Sequence, residues 1–317
     1  MPLPFEKPIE DLETKIEEMR SYASEQGIDL TDEIGLLQQR LERLKRDTFA
    51  NLTRWQRVQV ARAAGRPTAM DYLQGAFDSF TELHGDRTLG DDPAIVAGLA
   101  RLGERSVVVV GQQKGRDTKE NIHRNFGMSH PSGYRKAMRM FDLADKFGLP
   151  VITLIDTPGA YPGIAAEEQG QAWVIAESIR RMSRLTVPAV SVVIGEGGSG
   201  GALAVGVANR VLILENAIYS VISPESCAAI LWRDAAEAEK AAEALKLTAY
   251  DLLDLDVVDR VIDEPIGGAH KNREATIKRV REAMQEEVAA LAGIDAEGLQ
   301  DQRRRRFRGL GRFRDAA

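Results

Sequence analysis

The spacing of apolar residues predicts helices at the start of the chain. These residues lie three and four positions apart, which is the spacing of one helix face. Two such stripes, separated by a break at Gly27, predict a helical hairpin over residues 1–50. An apolar stripe has to pack on something, so we expect the hairpin to dock on the rest of the chain or on a partner. The stripes are formed by Ile9, Leu12, Ile16 and Met19, and by Leu37, Leu41 and Leu44.

Further along, helical and strand patterns alternate. We predict a helix around Trp55 and Val58, and another that uses Tyr72, Leu73, Phe77 and Phe80. Short β-branched runs predict buried strands. The predicted strands are Ile95–Leu99, Val107–Val110 (with Gly103 in the turn between them), Val151–Ile155, Val190–Ile194, Val211–Leu214 and Val257–Ile262. The predicted helices are Pro131–Phe147, Ala165–Arg184, Ala202–Ala208, Pro224–Trp232 with Ser223 as N-cap, Ala235–Leu245 and a last one from Ile277 to Leu291.

Strands that alternate with helices predict an α/β fold with largely parallel pairing. This pattern leaves two arrangements open, a doubly wound sheet and a spiral of repeated ββα units. Either arrangement places loops together at the carboxyl ends of neighbouring parallel strands, where open α/β folds bind ligands.

Composition narrows the functional class. A hydrophobic fraction of 44% and a charged fraction of 28% are ordinary for a soluble globular protein. The net charge of −6 argues against a protein dominated by binding to nucleic acid or to an anionic membrane. The basic C-terminal tail, residues 294–317, is the exception. We interpret its arginines (Arg303–Arg306, Arg308, Arg312 and Arg314) as a frayed, solvated segment, with RNA, an acidic partner or a phosphorylated substrate as alternatives.

Cys227 is the only cysteine, so no intrachain disulfide can form and a reducing compartment is expected. A zinc site built from several cysteines is likewise excluded on this chain. The N-terminus has no charged start followed by an apolar core, and no apolar run reaches the roughly 20 residues of a membrane span. We therefore predict a cytoplasmic protein that does not bind membranes.

The segment from Ser191 to Ala202 indicates an oxyanion site. A buried strand ends in five glycines within seven residues, and a helix of small residues follows at once. Glycine lets a ligand approach the main chain, and a helix start presents free N–H groups and a positive dipole end. Phosphate, carboxylate and enolate oxygens all fit such a site. The alternative is a glycine-rich turn that only permits tight packing.

The same glycines also satisfy G-x-S-x-G around Ser199, the nucleophile elbow of serine hydrolases. An acid (Asp254, Asp256 or Asp259) followed by His270 would complete the order Ser, acid, His. With so many glycines the match is easily met by chance, and no HGGG-like oxyanion motif precedes it.

A second loop, Asp156–Gly163, follows the Val151–Ile155 strand, and its two prolines and two glycines predict a rigid turn. Two loops after two buried strands should lie side by side. Neither forms a convincing dinucleotide fingerprint, and the chain contains no G-x-x-x-x-G-K-[ST] motif for ATP.

A third loop, Gly111–Met128, carries Lys114, Arg116, Lys119 and Arg124 and is suited either to an anionic cofactor or partner or to plain solvation. The four histidines (His84, His123, His130 and His270) show no metal-ligand spacing, so we predict no metal site.

Four stretches, GQQKGRDTKENIHRNFGM, IDTPGAYPG, VIGEGGSGGALAVGV and YSVISPESCAAILW, resemble the alpha-subunit family of the bacterial-type acetyl-CoA carboxylase carboxyltransferase. The resemblance covers nearly the whole chain. It implies a crotonase-like spiral of ββα units over residues 51–293, preceded by the helical section. Ser226, in the last stretch, stands where many relatives have glycine, which leaves the local turn open.

The resemblance also implies the activity and the partners. The carboxyl group of N-carboxybiotin, presented by a separate biotin carboxyl carrier protein, passes to acetyl-CoA and forms malonyl-CoA, the first committed step of fatty acid synthesis. The implied assembly is α₂β₂, with a zinc ribbon of four cysteines on the beta subunit only, and a biotin carboxylase supplies the carboxybiotin. No cofactor is expected to be covalently bound to this chain.

The site residues follow from the same resemblance. Gly200 and Gly201 are expected to form the hole for the ureido oxygen of biotin. Gly159, Ala160, Tyr161 and Gly198 are expected to wall the substrate pocket, with Lys114 and Arg116 near its mouth. The free biotin nitrogen can take the methyl proton of acetyl-CoA, so no side-chain base is required. Two alternatives remain: an enoyl-CoA hydratase or isomerase using Glu167 and Glu168, and a non-catalytic scaffold that binds the carrier protein.

Overall fold

The middle of the chain forms one eight-stranded sheet in the computed structural model, which describes residues 3–311. The strands are β1 (Ser79–Glu82), β2 (Ile95–Leu102), β3 (Arg105–Gln112), β4 (Val151–Thr157), β5 (Ala189–Gly198), β6 (Arg210–Leu214), β7 (Ile218–Ser220) and β8 (Arg260–Ile262). Their order in the sheet is β1-β2-β3-β4-β5-β6-β8, and β7 pairs with β5 away from this path.

The predicted α/β architecture with largely parallel pairing is confirmed. Among the strands of residues 3–311, the antiparallel pairs are β1 with β2 and β2 with β3. The turn from β2 to β3 lies at Gly103, whose φ of +62° suits glycine. The remaining pairs are parallel. Every residue of β4 is buried, as expected for a strand covered on both faces. β5 pairs with β6 along its first half and with β7 through its last three residues.

Helices pack around this sheet, and several begin and end where the sequence indicates. One runs from Pro131 to Phe147 and ends at Gly148 in the left-handed conformation. Another runs from Pro224 to Trp232, and its N-cap Ser223 accepts a hydrogen bond from the Ser226 N–H. Ser226 therefore lies inside a regular helix. The helices are α1 (Lys7–Gln26), α2 (Thr31–Ala50), α3 (Arg54–Ala61), α4 (Ala69–Gly75), α5 (Thr118–His123), α6 (Pro131–Phe147), α7 (Ile164–Glu168), α8 (Gln171–Arg184), α9 (Ser199–Leu203), α10 (Pro224–Trp232), α11 (Ala238–Leu245), α12 (Ala249–Asp254), α13 (Arg273–Leu291) and α14 (Ala296–Gly309).

The N-terminal hairpin is made of α1 and α2. Its helices share a small apolar cluster centred on Ile9, Ile16 and Leu41. Near its base, Glu6 lies 3.6 Å from the Lys271 ammonium, so the hairpin approaches the loop that follows β8. Among the helices of residues 3–311, none has the length and apolar content that crossing a bilayer requires.

Four sequence-based boundaries were wrong. Phe80 lies in β1 because it pairs with Ala100 at the sheet edge, and α4 ends earlier, at Gly75. The predicted Ala165–Arg184 helix is interrupted at Gly170, whose φ of +82° is left-handed, and α8 begins at the next residue. The Ala202–Ala208 helix instead begins at Ser199 and ends at Leu203. The last strand spans only three residues, because its first part is the turn that follows α12.

The prediction of a frayed C-terminal tail was also wrong for the residues up to Gly311. α14 packs on the core through Leu299, and Arg303 is only 1% exposed. The Arg303 guanidinium donates to the carbonyls of Leu185 and Val187, just past the end of α8, and to Asn209. Burial lowers the pKa of Arg303 to about 10. Arg304, Arg305 and Arg308 are exposed, while Arg312 and Arg314 lie outside the described residues.

Candidate active site

Two loops meet at the carboxyl ends of β4 and β5. The strands run parallel from Val151 and Ala189, and their register shifts between Ile155 and Thr157, so that Thr157 lies opposite Gly197. The loop after β4 contains Pro158, Gly159 and Ala160, and β5 continues through Gly198 into α9. Adjacent parallel strands thus deliver both loops to one edge of the sheet.

The two loops touch through main-chain atoms, which confirms their predicted proximity. A Cβ atom on Gly198 would lie 2.1 Å from the carbonyl oxygen of Pro158. A Cβ on Gly201 would lie 2.5 Å from the nitrogen of Ala160 and from the carbonyl carbon of Gly159. Real Cβ atoms do not come this close to other atoms. Both positions therefore require glycine for the close approach of two backbones.

The loop after β4 is braced from within and from one side. The Thr157 hydroxyl donates to the Gly159 carbonyl at 2.6 Å and accepts from the Gly159 N–H at 3.1 Å. The Tyr161 N–H donates to the Ser129 carbonyl at 3.0 Å. The Tyr161 ring stacks on His130 with centroids 4.0 Å apart, so this histidine has a packing role. The loop after β4 is thus held in place at Gly159 and Tyr161.

The loop after β5 presents the start of α9. The first N–H groups of a helix have no intrahelical acceptor, and in a helix of five residues they make up most of the element. Gly200 is half-buried, Gly201 is buried and Ser199 is exposed. Ser199 has a φ of +53°, a left-handed conformation that is uncommon for residues other than glycine. The turn therefore exposes Ser199 and leaves the helix start without bulky side chains at Gly200 and Gly201.

A cavity of about 400 Å³ opens beside Ser199 and Gly200. Its lining is mostly apolar and includes Leu203, Tyr219, Val221, Leu252, Leu255 and Val257. Hydrogen bonds to a developing negative charge are stronger where apolar walls exclude water. The cavity and the helix start together suit a reaction that builds charge on an oxygen.

Lys114 does not stand free at the mouth of the pocket. Its ammonium lies 2.8 Å from Asp156 Oδ1 and 2.6 Å from Glu196 Oε2, and Arg62 pairs with Glu196 from the other side at 2.7 Å. Burial alone lowers the pKa of Lys114, but the two carboxylates outweigh it and raise the pKa above its usual value. The Asp156 carboxylate also accepts the Glu196 N–H at 2.9 Å. Lys114 thus ties together the ends of β3, β4 and β5.

The other cations of this region are paired as well. A second cavity, of about 310 Å³, is lined by Arg62, Arg66, Lys114, Arg116 and Arg273. Each of these side chains contacts a carboxylate, so the cavity does not present a strong positive charge. Arg66 pairs with Glu264, while Arg116 and Arg273 share Asp71. Arg116 remains 55% exposed and is the most exposed of these five side chains.

The hydrolase alternative does not have the geometry it needs. Among the described residues, no histidine and no carboxylate lines the cavity beside Ser199. His270 lies beside Gly65 and Gly268, and Asp259 accepts the Val211 N–H at 2.6 Å. The hydratase alternative lacks its carboxylate pair, because Glu167 and Glu168 are exposed on α7. Within residues 3–311, no group of three or more potential metal ligands comes together.

Sequence reasoning missed the buried polar residues that support the loops. The Gln112 amide donates to the Gly201 carbonyl at 2.7 Å, and the Gln171 amide donates to the Tyr161 carbonyl at 3.0 Å. Gln112 lies within a stretch that carries the family resemblance, but nothing in the pattern indicates its partner 89 residues away.

Comparison with known proteins identifies the family of this chain. Residues 2–311 match the family model described as acetyl co-enzyme A carboxylase carboxyltransferase-like. The chain is 66% identical over 313 residues to the acetyl-coenzyme A carboxylase carboxyl transferase subunit alpha of a Thermus thermophilus strain, covering 99% of both chains. It is 54% identical over 307 residues to that of Deinococcus radiodurans, covering 97% of both.

Two solved structures share the fold. Transcarboxylase 12S matches with a TM-score of 0.59 and 20% identity, over 82% of this chain and 46% of that chain. A Pseudomonas malonate decarboxylase hetero-tetramer, solved with coenzyme A, matches with a TM-score of 0.56 and 20% identity, over 68% of this chain and 86% of that chain. The fold is crotonase-like, and the family match identifies the class as a carboxyltransferase subunit. The chain belongs to the family of acetyl-coenzyme A carboxylase carboxyl transferase alpha subunits.

Proposed function

We propose that this chain, together with a beta subunit, transfers the carboxyl group of N-carboxybiotin to acetyl-CoA and so forms malonyl-CoA. The observation that carries the proposal is the start of α9, where Gly201 lies against the Gly159–Ala160 peptide and Gly200 lines an apolar cavity. Such a site offers fixed N–H donors and no nucleophile. That is what a reaction through a biotin ureido oxyanion and an enolate requires.

In this proposal, Gly200 and Gly201 donate to the ureido oxygen as carboxybiotin loses CO₂. Negative charge builds on that oxygen in the transition state, and the donors are already in place, so their reorganisation costs nothing. The biotin nitrogen that is released takes the methyl proton of acetyl-CoA. No side-chain base is then needed, in agreement with a cavity lining that carries no histidine or carboxylate among the described residues.

Gly159, Ala160, Tyr161 and Gly198 are proposed to contact the substrate where the loop after β4 meets the start of α9, since other residues line the cavity beside Ser199. Arg116, exposed and half-neutralised by Asp71, is placed to meet an anionic group of a substrate or carrier. Lys114 is proposed to act indirectly, by holding Asp156 and Glu196, rather than by binding substrate.

The surface around the loops supports a site completed by another chain. Ile164 is 81% exposed, Val221 76% and Trp173 66%, all close in sequence to the loops or the cavity lining. A contiguous patch of exposed apolar side chains marks an interaction surface, and we propose that these three belong to one. We propose that the beta subunit covers them in an α₂β₂ assembly and brings its own zinc ribbon. The carrier protein then presents carboxybiotin, made by a biotin carboxylase, to the completed site.

The test is reconstitution with the cognate beta subunit. Malonyl-CoA formation from carboxybiotin and acetyl-CoA should be absent with this chain alone and present after co-purification of the two subunits. Substantial turnover by the isolated chain would contradict the shared site. Turnover of enoyl-CoA by the complex, without carboxyl transfer, would contradict the reaction itself.

A further inference from the structure

We propose that Gln112 is a positioning residue that sets the orientation of the Gly200–Gly201 donors; this inference rests on the proposed function. Gln112 is the last residue of β3 and is fully buried. Its side-chain amide reaches past β4 and donates to the carbonyl oxygen of Gly201 at 2.7 Å. A carbonyl oxygen only accepts, so the amide nitrogen, not Oε1, faces it.

This hydrogen bond takes the place of a missing helical one. In a regular α-helix the Gly201 carbonyl would accept from the N–H of Val205. Here the Val205 N–H turns instead to Ala202, at 3.2 Å, because the helix tightens into a 3₁₀ turn as it ends. The Gly201 carbonyl is therefore released from the helix ladder, and Gln112 is the side chain that holds it.

The position of Gln112 in the sheet allows it to anchor the glycine loop. Its backbone pairs with Ile95 in β2, but the parallel pairing of β3 with β4 stops one residue earlier, at Gly111. The side chain thus starts from an immobile strand and ends on the loop that carries the proposed donors. On its other side, Gly201 already contacts the Ala160 nitrogen, so the peptide is held between two contacts.

The side-chain oxygen of Gln112 makes it possible to distinguish a positioning role of this residue from a stabilising one by experiment. Gln112 Oε1 is buried without a hydrogen-bond partner. A buried acceptor of this kind costs folding free energy. Replacing the amide by an apolar group of similar shape removes this cost, which offsets the cost of leaving the Gly201 carbonyl unpaired, so stability is expected to change little. Loss of activity without loss of stability is then the signature of positioning.

The experiment uses the complex of this chain with its cognate beta subunit. For Gln112→Met we expect kcat for malonyl-CoA formation to fall about tenfold or more, with KM for acetyl-CoA and Tm nearly unchanged. Thr276→Val is the control: it removes the hydrogen bond of another fully buried side chain to a carbonyl, that of Asn272 at the start of α13, and should leave kcat unchanged.

Gln112→Glu adds a second readout. The neutral carboxyl can still donate to Gly201, whereas the carboxylate can only accept and repels the carbonyl. Burial raises the pKa of such a carboxyl, so the activity of this variant, relative to wild type, should recover as the pH falls. A structural role alone would not give this recovery.

The outcomes are distinguishable. An inactive wild-type complex would contradict the proposed function itself. An active wild type with Gln112→Met within about twofold of its kcat would overturn the positioning role. If Gln112→Met does not fold, Gln112→Glu decides: an activity ratio to wild type that does not change with pH would also overturn it.

Discussion

Gly201 lies so close to Ala160 that a Cβ atom added to it would come within 2.5 Å of the Ala160 nitrogen. Backbone cannot yield in the way the end of a flexible side chain can. Any residue larger than glycine must therefore push the loop after β4 away from the start of α9. Gln112 also holds Gly201 through a hydrogen bond to its carbonyl. The displacement therefore affects the two loops that we propose to be catalytic.

The first prediction is that Gly201→Ala abolishes most of the carboxyl transfer. Losing one well-placed oxyanion donor typically costs about 10²–10³ in kcat, and this change separates the loop after β4 from the start of α9, which carries both proposed donors. Gly35→Ala, in α2 with no atom within 4 Å of its added Cβ, is the control and should be fully active. Steady-state kinetics of both complexes would check this, and a Gly201→Ala complex with near wild-type kcat would contradict the backbone contact.

The second prediction concerns the ion cluster under the loops. Lys114→Met leaves Asp156 and Glu196 buried without their shared cation, which should lower the free energy of unfolding by about 3–5 kcal/mol. Urea unfolding monitored by circular dichroism would measure it. Adding Glu196→Gln should recover part of the loss, because one uncompensated charge is removed. Unchanged stability in the single variant would show that the cluster does not hold the strands.

The third prediction is a pH dependence with a defined sign. Burial by itself raises the pKa of Glu196, but Lys114 and Arg62 outweigh it and lower the pKa from 4.5 to about 2. A carboxyl whose pKa is lowered on folding contributes stability that is fully present above its unfolded pKa and lost as the pH falls through the folded one. Wild type should therefore lose more stability than Glu196→Gln between about pH 5 and pH 2. Parallel slopes of the unfolding free energy against pH would rule this out.

The fourth prediction tests the C-terminal helix. Arg303→Met removes donors from the carbonyls of Leu185 and Val187 and should cost about 1–3 kcal/mol for each buried acceptor left unpaired. Arg304→Met, one position along and exposed, should change stability by less than about 0.5 kcal/mol. Thermal and urea unfolding of the pair would decide. Equal behaviour of the two variants would restore the interpretation of a free tail.

Sequence patterns predicted best where local and tertiary preferences agree. The helix Pro131–Phe147 carries its own start and stop signals, and the Val151–Ile155 run permits only a buried strand, so both were predicted correctly. Phe80 was assigned to a helix because its spacing continues that of α4, but pairing with Ala100 at the sheet edge decides its conformation. Arg303 was assigned to a solvated tail because a run of arginines does not show which one faces the core.

Sequence patterns likewise predicted some residues of the candidate site and missed others. The glycine pattern between a buried strand and a helix indicated a close approach to the main chain within Ser191–Ala202, and the family resemblance then singled out Gly200 and Gly201. The charge of Lys114 was visible in the sequence, but its two carboxylate partners were not, since they come from different strand ends. Gln112 and Gln171 act through hydrogen bonds to distant carbonyls, and a neutral side chain carries no periodicity or charge that would distinguish it.

The contact between Gly201 and Ala160 also bears on how such an enzyme can change over evolution. Both sides of the contact are main-chain atoms, and every variant of the chain that keeps the glycines inherits them unaltered. The centre of the proposed site is thus insulated from most point mutations, including those that would otherwise adapt it to a new substrate. In the proposed function, new acyl-CoA preferences would arise from the apolar cavity lining or from the beta subunit.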